Sequence, residues 1–282
     1  MKDQVAYLPI VAQVNEGLIY EVPKVLVRNN ISLKNILIVS GANNSRYYAE
    51  QILTTMNALH YIASRDHNEL ENLQHICKLK KVKLIIWIGG GYILDLVKRV
   101  SFLINTPNIL VPSVISNDGL ISPIAVISDF DGKTHSLPGK MPIGILVDID
   151  IIQQAPDEFL QAAAGDILSN ISATNDWVLA NLHTGEQIND VAYMLSRSAA
   201  HSLIHHESKN VRNRDFLKQI VYCQISSGMA MSLAGTSRPC SGSEHLISHA
   251  MDYKKLSDST LHGLQVGSIS IFLLLFQPNF II

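Results

Sequence analysis

The sequence predicts an α/β domain with a parallel sheet followed by an all-α domain, and three features carry that expectation. In the first half, short β-branched and apolar runs alternate with amphipathic stretches, the pattern of parallel β-α units. The run over 84–88 is apolar at every position, so its sheet is buried on both faces and helices must cover both sides. Beyond about residue 152 strand signals stop, and Leu160, Ala163, Ala164, Ile167, Leu168 and Ile171 recur at intervals of three and four, as on the buried face of a helix.

Strands are expected at 10–14, 35–40, 59–63 and 82–88, with helices near 18–28, 45–56 and 68–80 between them. The fourth strand runs into Gly89, Gly90 and Gly91, and Tyr92, Ile93, Leu94 and Asp95 then open another helix. At the carboxyl end of a parallel strand, a glycine turn followed by a helix N-terminus forms a phosphate cradle. The backbone can approach a pyrophosphate closely, and the first helical turn offers unpaired N–H groups. The same turn also occurs as a tight connection with nothing bound, and it is not the G-x-G-x-x-G pattern of dinucleotide folds. A strand at 108–112 leads into the polar loop 113–119, at the strand end where functional loops sit. Residues 125–130 and 133–135 read as a hairpin around Asp131-Gly132, since Asp-Gly supplies the positive φ values of a two-residue turn. After a strand at 143–147, the change to helix between Asp148 and Pro156 divides the chain into residues 1–152 and 153–282. The apolar run over 264–276 is shorter than the ~20 residues of a spanning helix and is interrupted by Gly267, Ser268 and Ser270, so a buried helix is expected there.

Composition narrows the function classes. At 282 residues the chain has room for about two domains, and 47% hydrophobic with 16% charged residues describes an enzyme-like globule. With 22 Lys and Arg against 24 Asp and Glu and no long basic cluster, nucleic acid is not an expected partner. Cys77, Cys223 and Cys240 are odd in number and widely spaced, which suggests neither a disulfide framework nor a thiolate metal site and fits a reducing cytoplasm. The N-terminus lacks the apolar core of a signal peptide.

The stretch 237–262 concentrates histidines. His245 and His249 are four positions apart, which puts both on one face of a helix, and His262 is expected in a tight turn before Gly263. Such a pair also occurs as two half-exposed surface histidines. Upstream, however, Asp166 sits inside an apolar helical pattern, and an Asp is rarely buried without a partner or a metal. Two histidines and a carboxylate leave a fourth position open, the mark of a catalytic metal site.

Several segments taken together resemble the sn-glycerol-1-phosphate dehydrogenase family, within the wider group of glycerol dehydrogenases, iron-type alcohol dehydrogenases and dehydroquinate synthases. They are Gly89-Gly90-Gly91 with Asp95 and Lys98; Val111-Pro112-Ser113 with Ser116-Asn117-Asp118-Gly119 and Ser122-Pro123; and Ala164-Gly165-Asp166 with Ser169-Asn170. Ser241-Gly242 with Glu244-His245 and Ser248-His249, and His262-Gly263 with Gln265-Val266-Gly267, complete the series. The resemblance runs in order from about residue 35 to 270 and implies a nucleotide-binding α/β domain followed by a helical metal domain. It implies that NAD or NADP contacts Gly89, Gly90, Gly91, Tyr92, Ile93, Leu94 and Asp95, then Ser113, Val114, Ile115 and Ser116, and also Ser122. Asp166, His245 and His262 would hold the metal, zinc or in some bacterial members nickel. Asp118, Asp166 and His249 would meet the substrate, with His249 as a proton relay or an outer residue. The implied reaction is hydride transfer between the nicotinamide and C2 of dihydroxyacetone phosphate, giving sn-glycerol 1-phosphate for phospholipid biosynthesis, by a homo-oligomer without a membrane span. The iron-type relatives carry a histidine where this chain has Asn170, leaving three protein ligands, which suits zinc better than octahedral iron.

Two positions depart from the family pattern. Leu264 stands where a glutamate is usual, and family members continue through further helices where this sequence ends at Ile282, so the second domain is expected to be incomplete. Alternatives within the fold are another polyol dehydrogenase, a dehydroquinate synthase-like lyase, which needs more basic residues than Arg238, and a non-catalytic remnant.

Overall fold

The computed structural model describes residues 8–66, 68–128, 134–254, 256 and 260–276. The chain forms two compact units: Leu8–Val114 with Ser122–Gln154, and Ile115–Ile121 with the described residues from Ala155 onward.

The first unit is built on six strands: β1 (Val11–Asn15), β2 (Ile36–Ser40), β3 (Leu59–Ile62), β4 (Leu84–Gly89), β5 (Asn108–Pro112) and β8 (Gly144–Asp148). They pair in the order β1-β8-β5-β4-β2-β3, every pairing parallel. The interior strands β2, β4, β5 and β8 are buried at every residue, as the continuous apolar runs require when both faces are covered. Asn108 is tolerated in this interior because its Oδ1 accepts the indole N–H of Trp87 at 3.0 Å. The covering helices are α1 (Val22–Arg28), α2 (Asn44–Leu53), α3 (Glu69–Leu79) and α4 (Gly91–Leu103), with the short α5 (Ile149–Ile152) after β8. The segment expected as one helix over 18–28 opens instead with a 3-10 turn at Leu18–Glu21, after Gly17 at φ 63°. Asp148 and Asp150, distant in sequence, hold this entry by accepting the N–H groups of Ile19 and Gly17 at 2.8 and 3.1 Å. The separate strands β6 (Ile124–Ser128) and β7 (Thr134–Pro138) pair antiparallel, and the Asp131-Gly132 turn expected between them lies outside the described residues.

The second unit is helical: α6 (Asp157–Leu168), α7 (Asn170–Thr184), α8 (Asp190–Ile204), α9 (Arg214–Ala234), α10 (Ser243–Tyr253) and α11 (His262–Leu274). Asn189 and Asn213 cap α8 and α9 with side-chain oxygens on backbone N–H groups, and Gly185 and Gly235 close α7 and α9 in the left-handed region. Two expectations are corrected here. His262 does not lie in a tight turn; it is the first residue of α11, behind Leu261 in an extended conformation. Nor is α11 with the residues after it buried all round: Gly263, Gln265, Val266 and Ser270 are buried, but Ile271 and Phe272 in the helix and Leu275 and Phe276 beyond it are 59–74% exposed. No helix of the described residues is long and apolar enough to cross a membrane.

Candidate functional site

In the helical unit, the packing of α6 on α11 decides which side chains meet. Gly165 and Gly263 face each other so closely that a Cβ on Gly165 would lie 2.5 Å from the Gly263 carbonyl oxygen, and a Cβ on Gly263 would run into the Ala162 carbonyl. Backbone contact of this kind brings Asp166, the neighbour of Gly165, and His262, the neighbour of Gly263, into one site. Helix α10 supplies His245. Its first turn is anchored by Asp176, whose Oδ2 accepts the N–H and the hydroxyl of Ser243, both at 2.6 Å.

One potential ligand atom from each of Asp166, His245 and His262 lies within 4.8 Å of the other two. Asp166 Oδ2 accepts the Asp118 backbone N–H at 2.7 Å, whereas Oδ1 is buried with no hydrogen-bond partner and sits 4.0 Å from His245 Nε2. A lone carboxylate oxygen in such surroundings is costly, and a divalent cation relieves the cost. The donor set therefore fits a metal: one hard oxygen and two imidazoles.

The outer contacts assign both histidine tautomers. His245 Nδ1 is 2.9 Å from Glu244 Oε1, so Nδ1–H donates there and the Nε2 lone pair points inward. His262 Nδ1 is 3.1 Å from Ser248 Oγ, whose own hydroxyl donates to Gln265 Oε1 at 2.6 Å; Ser248 therefore accepts from Nδ1–H, and Nε2 is again left as the ligand. Glu244 is fully buried and held in turn, with Oε1 on the Gly242 N–H at 2.6 Å and Oε2 on the Ser172 hydroxyl at 2.8 Å. Carboxylate and hydroxyl partners of this kind fix ring orientation and raise ligand basicity. Glu244, Ser248 and Gln265 carry no role in the sequence reading. Their signal is positional: Glu244 adjoins His245, while Ser248 and Gln265 lie three residues after His245 and His262.

Electrostatics follow from burial. Burial and the nearby Asp118 charge push the Asp166 carboxyl up to about 8. Burial, then the neighbouring His245 and His249, bring His262 down to about 4, so its ring is neutral and available near neutral pH. Burial acts to lower His245, but the Glu244 hydrogen bond and the surrounding carboxylates outweigh it and its pKa is raised.

His249 lies one turn beyond His245, solvent-exposed, its ring stacked on His262 at 5.6 Å between centroids. It belongs to the rim of the cluster and not to the three-ligand group. Asp118, in the loop segment of the helical unit, reaches the site through its backbone bond to Asp166.

In the α/β unit, β4 ends at Gly89 and α4 starts at Gly91, behind Gly90 in an extended conformation with no side-chain cap, which leaves first-turn N–H groups for an anion. Gly90 has no room for a side chain, since a Cβ there would lie 2.5 Å from Val114 Cγ1; at Gly91 a Cβ would meet no atom of the described residues within 4 Å beyond its chain neighbours and its own helix backbone. Tyr92 sits beneath the Arg65 guanidinium, 5.5 Å from the ring centre. The side chains of Ile93 and Leu94 are buried in the fold, so these positions offer a ligand only backbone. Burial raises Asp95 against the pull of Lys98, whose ammonium lies 3.5 Å from Asp95 Oδ1 and 3.2 Å from the buried Ser122 Oγ. Ser113 and Val114 follow β5 in this unit, while Ile115, fully buried, and Ser116 belong to the helical one.

Comparison with known proteins places these features in a family. Residues 13–156 match the iron-containing alcohol dehydrogenase family. The chain is 36% identical over 263 residues to a glycerol-1-phosphate dehydrogenase [NAD(P)+] of Pyrococcus horikoshii, covering 89% of this chain and 74% of that protein. It is 36% identical over 281 residues to the protein of the same name from Nitrosopumilus maritimus, covering 97% and 78%. The fold is shared with a glycerol dehydrogenase from Schizosaccharomyces pombe, at TM-score 0.82 and 19% identity, over 98% of this chain and 73% of that one. The chain belongs to the iron-containing alcohol dehydrogenase family and, within it, to the glycerol-1-phosphate dehydrogenases.

Proposed function

We propose that this protein is an NAD(P)- and metal-dependent oxidoreductase that interconverts dihydroxyacetone phosphate and sn-glycerol 1-phosphate. The observation that carries the reading is the Asp166, His245 and His262 cluster with its unpartnered carboxylate oxygen, in a chain 36% identical to proteins named for this activity. A bound divalent cation would act as a Lewis acid that polarises the carbonyl oxygen and eases deprotonation of the alcohol in reverse. Reduced NAD(P) would supply the hydride.

The chain's own residues have distinct parts in this proposal. Residues 1–152 bind cofactor and residues 153–282 carry the metal and substrate groups. Gly89 to Asp95 receive the pyrophosphate on the free N–H groups of α4; Ser113, Val114, Ile115, Ser116 and Ser122 complete the cofactor contacts. Asp166, His245 and His262 hold the cation. Asp118 orients the substrate, and His249, exposed beside His262, passes the proton between its imidazole and solvent. Zinc is favoured over iron because Asn170, where iron-type relatives place another histidine, is buried and donates Nδ2–H to Ser227 Oγ at 2.8 Å. The three cysteines are buried free thiols, in keeping with a reducing cytoplasm, and a homo-oligomer is part of the same reading.

Oxidation of NADPH and NADH by the zinc-loaded protein with dihydroxyacetone phosphate tests the function, with the stereochemistry of the product determined enzymatically. Turnover of glycerol or dihydroxyacetone in preference to the phosphorylated pair would replace it with a polyol dehydrogenase reading, which the glycerol dehydrogenase fold favours. A dehydroquinate synthase-like lyase is disfavoured because Arg238 is engaged by Glu186 through two bonds of 2.8 Å.

A further inference from the structure

Lys98 stands out among the charged residues of the α/β unit. Only 1% of its side chain is exposed, and an ammonium is taken so far from water only where it is compensated. Its Nζ donates to Ser122 Oγ at 3.2 Å and lies 3.5 Å from Asp95 Oδ1. Its own carbonyl oxygen accepts the Lys140 N–H at 2.9 Å, and the Pro138 carbonyl takes the Arg99 guanidinium at 2.9 Å, so this turn of α4 is tied to the β7 strand end. Ser122 in turn donates to the Ile124 carbonyl at 3.3 Å, at the start of β6. The lysine thus joins two stretches far apart in sequence, the helix behind the glycine turn and the segment containing Ser122.

We propose that Lys98 is a positioning residue of the cofactor site: its buried ammonium fixes the Ser122 hydroxyl and the Asp95 carboxylate in the arrangement that receives NAD(P). The inference rests on the reading that Ser122 and Asp95 contact the cofactor. Lys98 itself acts through them. Burial opposes charge on Asp95, and Lys98 is the largest influence favouring it, ahead of the Val126 backbone hydrogen bond. A hydrogen bond from a charged donor sets the Ser122 rotor more firmly than a neutral one.

The test is a double-mutant cycle on the full, metal-loaded chain, using Lys98→Met, Ser122→Ala and the pair, with Kd for NADPH and NADH read by fluorescence titration. The expected result is a rise in Kd of about tenfold for Lys98→Met, the scale of one hydrogen bond to a charged group. The rise should appear in the KM for NADPH, with kcat and metal content within about twofold of wild type. The double variant should lose less than the product of the two single losses, because both changes remove the Lys98–Ser122 contact while the Asp95 contact is removed only by Lys98→Met. Weakened binding in Ser122→Ala with unchanged binding in Lys98→Met overturns the role of Lys98 and leaves the cofactor site standing. Unchanged binding in Ser122→Ala overturns both. Multiplying losses in the double variant also overturn the proposal, since Lys98 would then act independently of Ser122. If Lys98→Met fails to fold, Lys98→Arg takes its place. The guanidinium keeps the charge beside Asp95 but cannot reproduce the single Nζ contact, so weaker NADPH binding supports the proposal and wild-type affinity overturns it.

Discussion

Gly165 and Gly263 touch through their backbones, and this contact between α6 and α11 sets Asp166 and His262 side by side. Gly263→Ala should therefore act on the metal site without altering a ligand. Its Cβ would strike the Ala162 carbonyl and come within 2.9 Å of the Ser116 carbonyl, neither of which can move like a side chain. Overpacking of this kind costs roughly 1–3 kcal/mol. Thermal unfolding should show a midpoint several degrees lower, and elemental analysis should show reduced metal. A variant with wild-type midpoint and full metal content would mean the two helices can slide apart freely.

The ligand set makes a sharper demand. His245→Ala leaves two protein ligands and should lose the metal altogether. Glu244→Gln should be milder, because the amide keeps the size of the side chain but removes the charge that His245 Nδ1–H faces. Loss of such an outer partner weakens metal binding roughly 10–100-fold. Competition with a chromogenic chelator measures both. Full occupancy in His245→Ala would refute the assignment, and undiminished affinity in Glu244→Gln would leave the carboxylate a packing role only.

Metal binding should also respond to pH with a definite sign. Asp166 is raised from 3.8 to about 8, so its protonated form contributes stability that is complete below about pH 4 and lost as pH rises through about 8. A metal needs the carboxylate, so it displaces that proton and binds better at the upper end of the range; His262, down at about 4, competes little there. The gain in thermal midpoint on adding zinc should be larger at pH 8.5 than at pH 6. An equal gain at both would show that Asp166 is ionised throughout.

At the glycine turn, Gly91→Val separates folding from binding. Beyond its chain neighbours and its own helix backbone, no atom of the described residues lies within 4 Å of the added Cβ, and Gly91 is not among the positive-φ glycines, so the variant should fold and keep its metal. The branched side chain would stand where the cofactor phosphates approach the N-terminus of α4. Calorimetric titration should find NADPH binding abolished, and wild-type affinity would move the cofactor elsewhere.

Much of this architecture is readable from local pattern. The parallel strands follow from continuous apolar runs such as 84–88, and Asp166 is marked out as a carboxylate that interrupts an apolar helical stripe. What stayed hidden depends on distant packing. His245 and His249 share a helix, yet the residue brought into the ligand group with His245 is His262, delivered by the glycine contact between α6 and α11; only the family resemblance named that set in advance. Leu261 is not a capping residue type, so the start of α11 at His262 carried no local signal. The placement of Ile115–Ile121 with the helical unit likewise reflects contacts such as Gly228 against Ile121, which no neighbouring residue announces.

The three thiols have a practical consequence for whoever handles this protein. Burial pushes Cys77 up to about 11, raises Cys223, and raises Cys240 well above the ordinary thiol value, so little nucleophilic thiolate forms near neutral pH. Maleimides and other alkylating reagents should leave the native chain almost untouched. A single cysteine introduced on the surface, for instance at Tyr253, then becomes a selective attachment point for a dye or spin label, without first stripping the natural cysteines from the sequence.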